Sequence, residues 1–307
     1  MKNLYDTVIV GAGPAGLTAA LYARRANKTV LVLEKNGFGG QMTYSPKIEN
    51  FPGFESISGN ELADSFVGQV LAQGADIELE EVMSVTKTEN NTFLVKTDSS
   101  EYESRTVIIA TGAKHRLLHV PHEEEFIGNG ISFCAVCDGA FYADKDVAVI
   151  GGGNSALQEA TLLAEQCKSV TMIQNLDFFT GEEKLSQALM QKKNVKAIFG
   201  TVVAEFIGGD ELTGIKTKRV SDGFEQTLDF DGVFVAIGLA PDNKNFENVA
   251  ALDRAGYIVS GEDCLTGTNG VFVAGDCRTK KIRQITTASG DGAVAALSAI
   301  SYIDANF

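Results

Sequence analysis

The sequence has no tryptophan, only five prolines and three histidines, and its 26 Lys and Arg are outnumbered by 40 Asp and Glu, for a net charge of -14. So acidic a chain lacks the cations for non-specific nucleic-acid binding, and it offers few rings for base stacking. No apolar run reaches membrane-spanning length, and we expect no secretory signal before the first strand. The five cysteines include a C-x-x-C pair, which fits a reducing cytoplasm better than a disulfide-stapled secreted protein.

The glycines are what the chain has in number. There are 32 glycines in 307 residues, and they cluster in predicted strand-to-helix turns. This length suffices for two domains with separate cores. We therefore expect an α/β protein with two Rossmann-like domains.

The first glycine-rich turn carries a complete dinucleotide fingerprint. A predicted buried strand over 5–10 runs into Gly11-Ala12-Gly13-Pro14-Ala15-Gly16, a helix follows over 17–26, and a second strand over 29–33 ends at Glu34. Glycines allow the backbone to approach a pyrophosphate at the helix N-terminus, and the acid takes ribose hydroxyls. The spacing predicts a dinucleotide site.

A second copy of the same unit begins at Gly151-Gly152-Gly153-Asn154-Ser155-Ala156, after a predicted strand over 146–150. Its second strand, predicted over 169–173, is followed by Gln174-Asn175-Leu176-Asp177-Phe178-Phe179-Thr180, which contains no Arg or Lys. An NADPH site needs cations there for the 2′-phosphate, and their loss forfeits several hydrogen bonds of about 1.5–3 kcal/mol each. Asp177 comes late for a ribose acid. The sequence thus predicts a nicotinamide-type domain without its usual affinity determinants.

Between the two units stands Cys134-Ala135-Val136-Cys137-Asp138. A zinc site would need a second ligand pair, which neither the other cysteines nor the three histidines supply at ligand spacing. The pair is therefore interpreted as a redox-active dithiol. Near the C-terminus, a predicted strand starting at Gly270 ends in Gly275-Asp276; such an Asp holds the ribityl chain of FAD in two-dinucleotide flavoproteins. A final helix is predicted over 289–303.

On these motifs and the run Arg283-Gln284 to Thr287-Ala288, the whole chain resembles the low-molecular-weight thioredoxin reductases. The resemblance implies a discontinuous FAD-binding domain, residues 1–114 and 244–307, with a central redox domain, residues 115–243, inserted in it. It also implies a homodimer that reduces thioredoxin. In this family pattern Cys137 faces the flavin, Cys134 attacks the thioredoxin disulfide, and Asp138 exchanges protons with the dithiol.

The resemblance also implies a set of FAD contacts and no metal ligands. These contacts are Gly11, Gly13, Pro14, Ala15, Gly16, Glu34, Lys35, Gly40, Gln41, Asn50, Val82, Thr111, Gly112, Gly275, Asp276, Arg283, Gln284 and Ile285.

The departures from the family pattern concern the electron donor. NADPH-dependent members carry Gly-Gly-Gly-Asp-Ser-Ala and His-Arg-Arg with a further Arg, where this chain has Asn154, Gln174-Asn175-Leu176 and Thr180. In this respect the chain resembles the ferredoxin-dependent flavin thioredoxin reductases, which implies that FAD takes electrons singly from reduced ferredoxin. Because ferredoxins are acidic, docking would need a basic patch, and the candidates are the cations of residues 278–283 and 114–116.

Two alternatives stay open at this point. The first is an NADPH- or NADH-dependent reductase with an atypical nicotinamide pocket, because the backbone N–H groups of residues 151–155 can still bind a pyrophosphate. The second is a non-enzymatic flavoprotein whose dithiol acts as a redox sensor. A ferredoxin–NADP⁺ reductase is disfavoured, since it needs the missing cations and does not need the C-x-x-C pair.

Overall fold

The computed structural model describes residues 4–307, and its contacts divide them into two compact units. The first unit comprises the chain up to Lys114 together with Ala240–Phe307, and the second comprises His115–Leu239. The chain returns to the first unit four residues earlier than predicted. Asp242 and Asn243 belong to it because they bond to Lys35 and Thr111, respectively.

The first unit is built on one large sheet. Its strands are β1 (Leu4–Val10), β2 (Val30–Glu34), β3 (Asp76–Leu79), β4 (Val82–Lys87), β5 (Phe93–Thr97), β6 (Glu101–Ile109) and β17 (Val271–Val273). Strands β3, β2, β1 and β6 are parallel neighbours in this order. Strand β6 also pairs with β17 in parallel through its C-terminal half and with β5 in antiparallel through its N-terminal half.

Helices α1 (Pro14–Arg25) and α6 (Ile285–Asn306) cover one face of this sheet, next to α2 (Gly59–Ala72). Their contact surfaces are rich in alanine, which lets the backbones approach closely. A Cβ on Gly292 of α6 would lie 2.2 Å from the backbone oxygen of Ala15. Helix α6 begins at Ile285, four residues before the predicted start, because Gln284 and Thr287 form a reciprocal cap there.

The second unit contains two sheets and three helices. Its strands are β8 (Ile131–Ser132), β9 (Asp146–Ile150), β10 (Ser169–Ile173), β11 (Val195–Ile198), β12 (Thr201–Gly208), β13 (Leu212–Arg219), β14 (Glu225–Asp229) and β15 (Gly232–Val235). They form a parallel five-stranded sheet in the order β11-β10-β9-β15-β8 and an antiparallel sheet β12-β13-β14. Its helices are α3 (Ala135–Asp138), α4 (Asn154–Leu163) and α5 (Glu183–Met190).

Apolar side chains fill both faces of the parallel sheet, as expected for strands covered on two sides. Helices α3, α4 and α5 cover one face, and the antiparallel sheet covers the other. The short strands β7 (Ala113–His115) and β16 (Leu239–Pro241) lie where the chain crosses between the units. Among residues 4–307, no helix is both long and apolar enough to span a membrane. The predicted α/β fold with two Rossmann-like domains is confirmed.

Candidate active site: a dithiol and two glycine-rich loops

The dithiol lies in the second unit, where the short strand β8 turns into helix α3. Cys134 and Cys137 form a disulfide with Cα atoms 5.3 Å apart. The backbone N–H of Cys137 donates to Cys134 Sγ at 3.2 Å, so Cys134 caps the first turn of the helix. Val136, between the two cysteines, is 62% exposed, so this side of the turn faces solvent.

Asp138 is tied to the same turn through a serine. Ser132 Oγ donates to Asp138 Oδ2 at 2.6 Å and accepts from the backbone N–H of Cys134 at 3.1 Å. The structure thus brings together the three predicted catalytic residues. The hydroxyl of Ser132 links the Asp138 carboxylate to the backbone of Cys134. Across residues 4–307 no group of three or more His, Cys, Asp or Glu side chains is arranged to hold a metal ion.

A second carboxyl reaches the dithiol turn from helix α4. Burial, with a further contribution from Asp138, raises the pKa of Glu159 to about 8, against the lowering effect of the nearby backbone N–H of Ala135. Glu159 was not among the predicted site residues. One feature of the sequence could have identified it: Glu159 stands three residues after Ala156, on the same side of α4 as the apolar residues Ala156, Ala160 and Leu163.

The first glycine-rich loop has the backbone that a pyrophosphate site requires. Gly11 has φ +111°, and a Cβ there would lie 2.3 Å from the backbone oxygen of Ala110. A Cβ on Gly16 would lie 1.9 Å from the oxygen of Gly11. Glu34, at the end of β2, accepts the backbone N–H of Ala12 at 2.8 Å, which places its carboxylate beside the loop. The cradle fits a dinucleotide and tolerates no larger residue at these glycines.

Several of the predicted FAD contacts gather in a cleft at this loop. This cleft is lined by six of them together with Glu80, Glu81, Lys114 and Asp242, and Lys35 within it pairs with Asp242 and Glu81. The six are Gly11, Glu34, Lys35, Val82, Thr111 and Gly112.

The remaining predicted contacts lie in two further groups of the first unit. Near Gly13, Pro14 and Gly16 at the start of α1 are Gly40, where an added Cβ would lie 3.2 Å from Gly13 Cα, and Gln41, which donates to the oxygen of Ala113. The second group is formed by Ala15, Asn50, Gly275, Asp276, Arg283, Gln284 and Ile285.

Asp276 is the residue of this group whose carboxylate needs a ligand to complete its hydrogen bonding. Its Oδ1 is buried without a hydrogen-bond partner, and burial raises its pKa to about 6. A buried carboxylate oxygen without a partner is costly. A ribityl hydroxyl of FAD would supply that partner, so the residues present fit the cofactor.

The second glycine-rich loop repeats the backbone of the first and changes its side chains. Gly151 has φ +130° and donates its N–H to Ile173, as Gly11 donates to Leu33. The residue equivalent to Glu34, one position after Ile173, is the neutral Gln174. Gln174 is 5% exposed, and its Nε2 donates to the oxygen of Phe178 at 3.2 Å.

The segment 175–182 lies over this second loop. The N–H groups of Thr180 and Gly181 both donate to the oxygen of Gly152, at 2.8 and 2.9 Å. Asn154 Oδ1 accepts the N–H of Glu182 at 2.6 Å, so an acidic residue flanks the loop. Phe178 is 61% exposed. The region where a 2′-phosphate reader would stand therefore presents apolar, neutral and acidic side chains.

Only part of the predicted basic patch at residues 278–283 lies at the surface. Arg278 is 1% exposed and bonds Asp291 with two nitrogens, at 2.8 and 2.9 Å. Lys280 bonds the same carboxylate at 2.9 Å, and Arg283 lies over the ring of Tyr257. Because the buried Asp291 needs compensating charge, two of the four cations stabilise the fold and do not face solvent.

The second candidate patch, residues 114–116, also carries less positive charge than predicted. His115 stacks on Phe133 with ring centroids 4.6 Å apart. Burial lowers its pKa to about 4, so the ring is neutral near pH 7 and adds no positive charge.

Comparison with known proteins agrees with this geometry. Residues 5–292 match the family model described as pyridine nucleotide-disulphide oxidoreductase. The thioredoxin reductase of Listeria monocytogenes is 40% identical over 305 residues, which cover 99% of this chain and 95% of that protein. A 34.2 kDa protein in the rubredoxin operon of Clostridium pasteurianum is 41% identical over 97% of both chains. The crystal structure of thioredoxin reductase from Streptococcus pyogenes superposes with a TM-score of 0.95 at 38% identity, covering 99% of this chain and 100% of that one.

Proposed function

The chain belongs to the pyridine nucleotide-disulphide oxidoreductase family and within it to the low-molecular-weight thioredoxin reductases, and from this premise we propose that it reduces the disulfide of a thioredoxin with its own dithiol. The observation that carries the proposal is the Cys134–Cys137 disulfide turn, which is exposed at Val136 and whose backbone is tied through Ser132 to Asp138. We further propose that the protein acts as a homodimer, which is consistent with the family.

The exchange chemistry follows from the two sulfurs. The Cys134 thiolate attacks one sulfur of the thioredoxin disulfide, which forms a mixed disulfide and releases the other sulfur as a thiolate that takes a proton. Cys137 then attacks Cys134 and releases reduced thioredoxin, which leaves the Cys134–Cys137 disulfide. Asp138 is suited to supply and recover protons for this exchange because the Ser132 hydroxyl fixes it beside the turn.

FAD is the family's cofactor, and when bound it supplies the redox chemistry that returns the disulfide to the dithiol. In this chain the loop from Gly11 to Gly16 would hold its pyrophosphate, Glu34 its ribose and Asp276 its ribityl chain. The chain's part is to bind and orient the cofactor with these residues.

For the electron donor, the relatives favour a nicotinamide nucleotide, and the comparisons give the ferredoxin donor no support. The backbone of the second glycine-rich loop supports the nucleotide, because Gly151 repeats the conformation of Gly11. Without a cation in residues 174–180, the 2′-phosphate of NADPH gains no charge-assisted bond there. We therefore propose an atypical nicotinamide site with little preference for NADPH over NADH.

A one-electron protein donor such as ferredoxin is the second candidate, because one observation counts against a nucleotide at the second loop. The segment 175–182 bonds the Gly152 oxygen and flanks the loop with Glu182, while Leu176 and Phe178 are exposed where the cations would stand. A surface of this kind lacks the positive charge that draws a dinucleotide.

Adding cations tests the two donors against each other. In Asn175→Arg/Leu176→Arg, we expect NADPH to bind roughly tenfold or more tightly while NADH binding changes little, because each arginine can pair with the 2′-phosphate. Asp210→Arg, in the exposed turn between β12 and β13, is the control, since it shifts the net charge equally.

The measurement is flavin absorbance after anaerobic mixing with each nucleotide and, separately, with reduced ferredoxin. Bleaching of the unmodified enzyme by NADPH or NADH supports the nicotinamide donor. Bleaching by ferredoxin alone would refute it and establish the protein donor.

A further inference from the structure

Glu159 lies against the backbone of the dithiol turn. It projects from α4 toward the N–H of Ala135, the residue that directly follows Cys134. Helix α3 packs on α4 at this point: Ala135 is 3% exposed and shares a core with Ala156, Leu157 and Ala160. The Glu159 carboxyl is therefore next to the packing that supports the redox-active turn.

The second oxygen of this carboxyl has no partner. Glu159 Oε2 is buried and makes no hydrogen bond. An ionised oxygen in that state costs considerably more free energy than a neutral one, because neither water nor a donor compensates its charge. The geometry thus favours the protonated acid near pH 7, in agreement with the raised pKa of Glu159.

Charged groups around Glu159 are few and act in the same sense. Asp138 of α3 adds negative charge, and Tyr142, in the turn after α3, is neutral below about pH 10 because burial and Asp138 raise its pKa to about 12. The other packed elements, α5, β9 and β10, contribute apolar side chains such as Leu189, Val149 and Met172. Glu182 bonds Asn154 at the start of α4.

We propose that Glu159 is a positioning residue that couples the dithiol to a proton: its carboxyl, with Oε2 buried and unpaired beside the Ala135 amide, takes up a proton from solvent when the disulfide is reduced at alkaline pH, where the oxidised enzyme leaves it ionised. Reduction breaks the sulfur–sulfur bond, adds two electrons and leaves negative charge on the sulfurs beside Ala135. That charge disfavours a carboxylate at Glu159, so the acid holds its proton to higher pH in the reduced state than in the oxidised state. This inference rests on the dithiol of the proposed function.

The test is the midpoint potential of the dithiol as a function of pH, measured in FAD-loaded enzyme equilibrated with dithiothreitol redox buffers, followed by thiol trapping and mass spectrometry. Above about pH 8 we expect a steeper fall of the potential in the unmodified enzyme than in Glu159→Gln. The largest possible difference in slope is one extra proton per two electrons. It corresponds to a tenfold change in the equilibrium constant of dithiol oxidation per pH unit, or about 30 mV per pH unit. Glu165→Gln, which neutralises an exposed acid just beyond α4, is the control and should keep the steeper fall of the potential.

Glu159→Met is a second variant that cannot take up a proton, and its side chain lacks the amide of glutamine. It should also lose the steeper fall of the potential, which would show that the loss in Glu159→Gln does not come from the packing of its amide. Parallel curves for the unmodified enzyme and Glu159→Gln over the whole pH range would overturn the proposal. A uniform offset without a change in slope would do so too, since it marks a purely structural role. The assay needs neither thioredoxin nor an electron donor, so this inference can fail while the proposed function stands.

Discussion

Cys134→Ser is expected to lower thioredoxin reduction by at least about a thousandfold while leaving the flavin reducible, because the change removes the attacking sulfur and touches no residue of the FAD cradle. In the structure, Cys134 Sγ accepts the N–H of Cys137, the kind of contact that stabilises a thiolate. The measurement is steady-state turnover of thioredoxin beside anaerobic titration of the flavin in the same variant.

Cys137→Ser separates the roles of the two sulfurs. With Cys134 still able to attack and no Cys137 to resolve the product, a mixed disulfide with thioredoxin should accumulate, visible as a band that dithiothreitol removes. Cys167→Ser, at a buried cysteine away from the turn, is the control and should turn over normally. A mixed disulfide from Cys134→Ser and none from Cys137→Ser would reverse the assignment.

Asp276→Ala is expected to weaken FAD binding by roughly 10- to 150-fold, the equivalent of one hydrogen bond to a charged group. The reason is the buried Oδ1 of Asp276, which has no protein partner and is placed to accept a ribityl hydroxyl. Fluorescence titration of FAD-free protein measures the change. Asp64→Asn, on the exposed side of α2, is the control, and unchanged affinity in Asp276→Ala would contradict the FAD placement.

The same residue predicts how the stability of FAD-free protein depends on pH. Burial raises the folded-state pKa of Asp276 from 3.8 to about 6. The folded protein then binds the proton more tightly than the unfolded chain, so its stability is greatest below the unfolded value and falls as pH rises through the folded one. The loss approaches about 3 kcal/mol. Urea unfolding at acid and neutral pH should show this loss, and Asp276→Asn should lack it; equal pH dependence in both would contradict the account.

The nucleotide loops were predictable because local chemistry determines them. Gly11 and Gly151 need positive φ and close backbone approach, which only glycine allows, and each stands between a buried strand and a helix. Cys134, Cys137 and Asp138 adjoin in sequence, so one turn of helix brings them together.

The features that the sequence did not predict depend on which side chains become buried in the folded protein. Residues 278–283 resemble an exposed basic run, yet Arg278 and Lys280 neutralise Asp291, which lies on α6 and is distant in sequence. Glu159 looks like one more helical glutamate until α3 packs over it. Both outcomes depend on tertiary contacts that periodicity does not encode.

The central claim, that the Cys134–Cys137 dithiol passes electrons to thioredoxin, has a direct test independent of the natural donor. The FAD-loaded enzyme is photoreduced anaerobically and mixed with oxidised thioredoxin, and the thiols formed on thioredoxin are counted. The account predicts one thioredoxin disulfide reduced for each two electrons stored, and none in Cys134→Ser. Reduced enzyme that forms no thioredoxin thiols, or Cys134→Ser that forms as many as the unmodified enzyme, would contradict it.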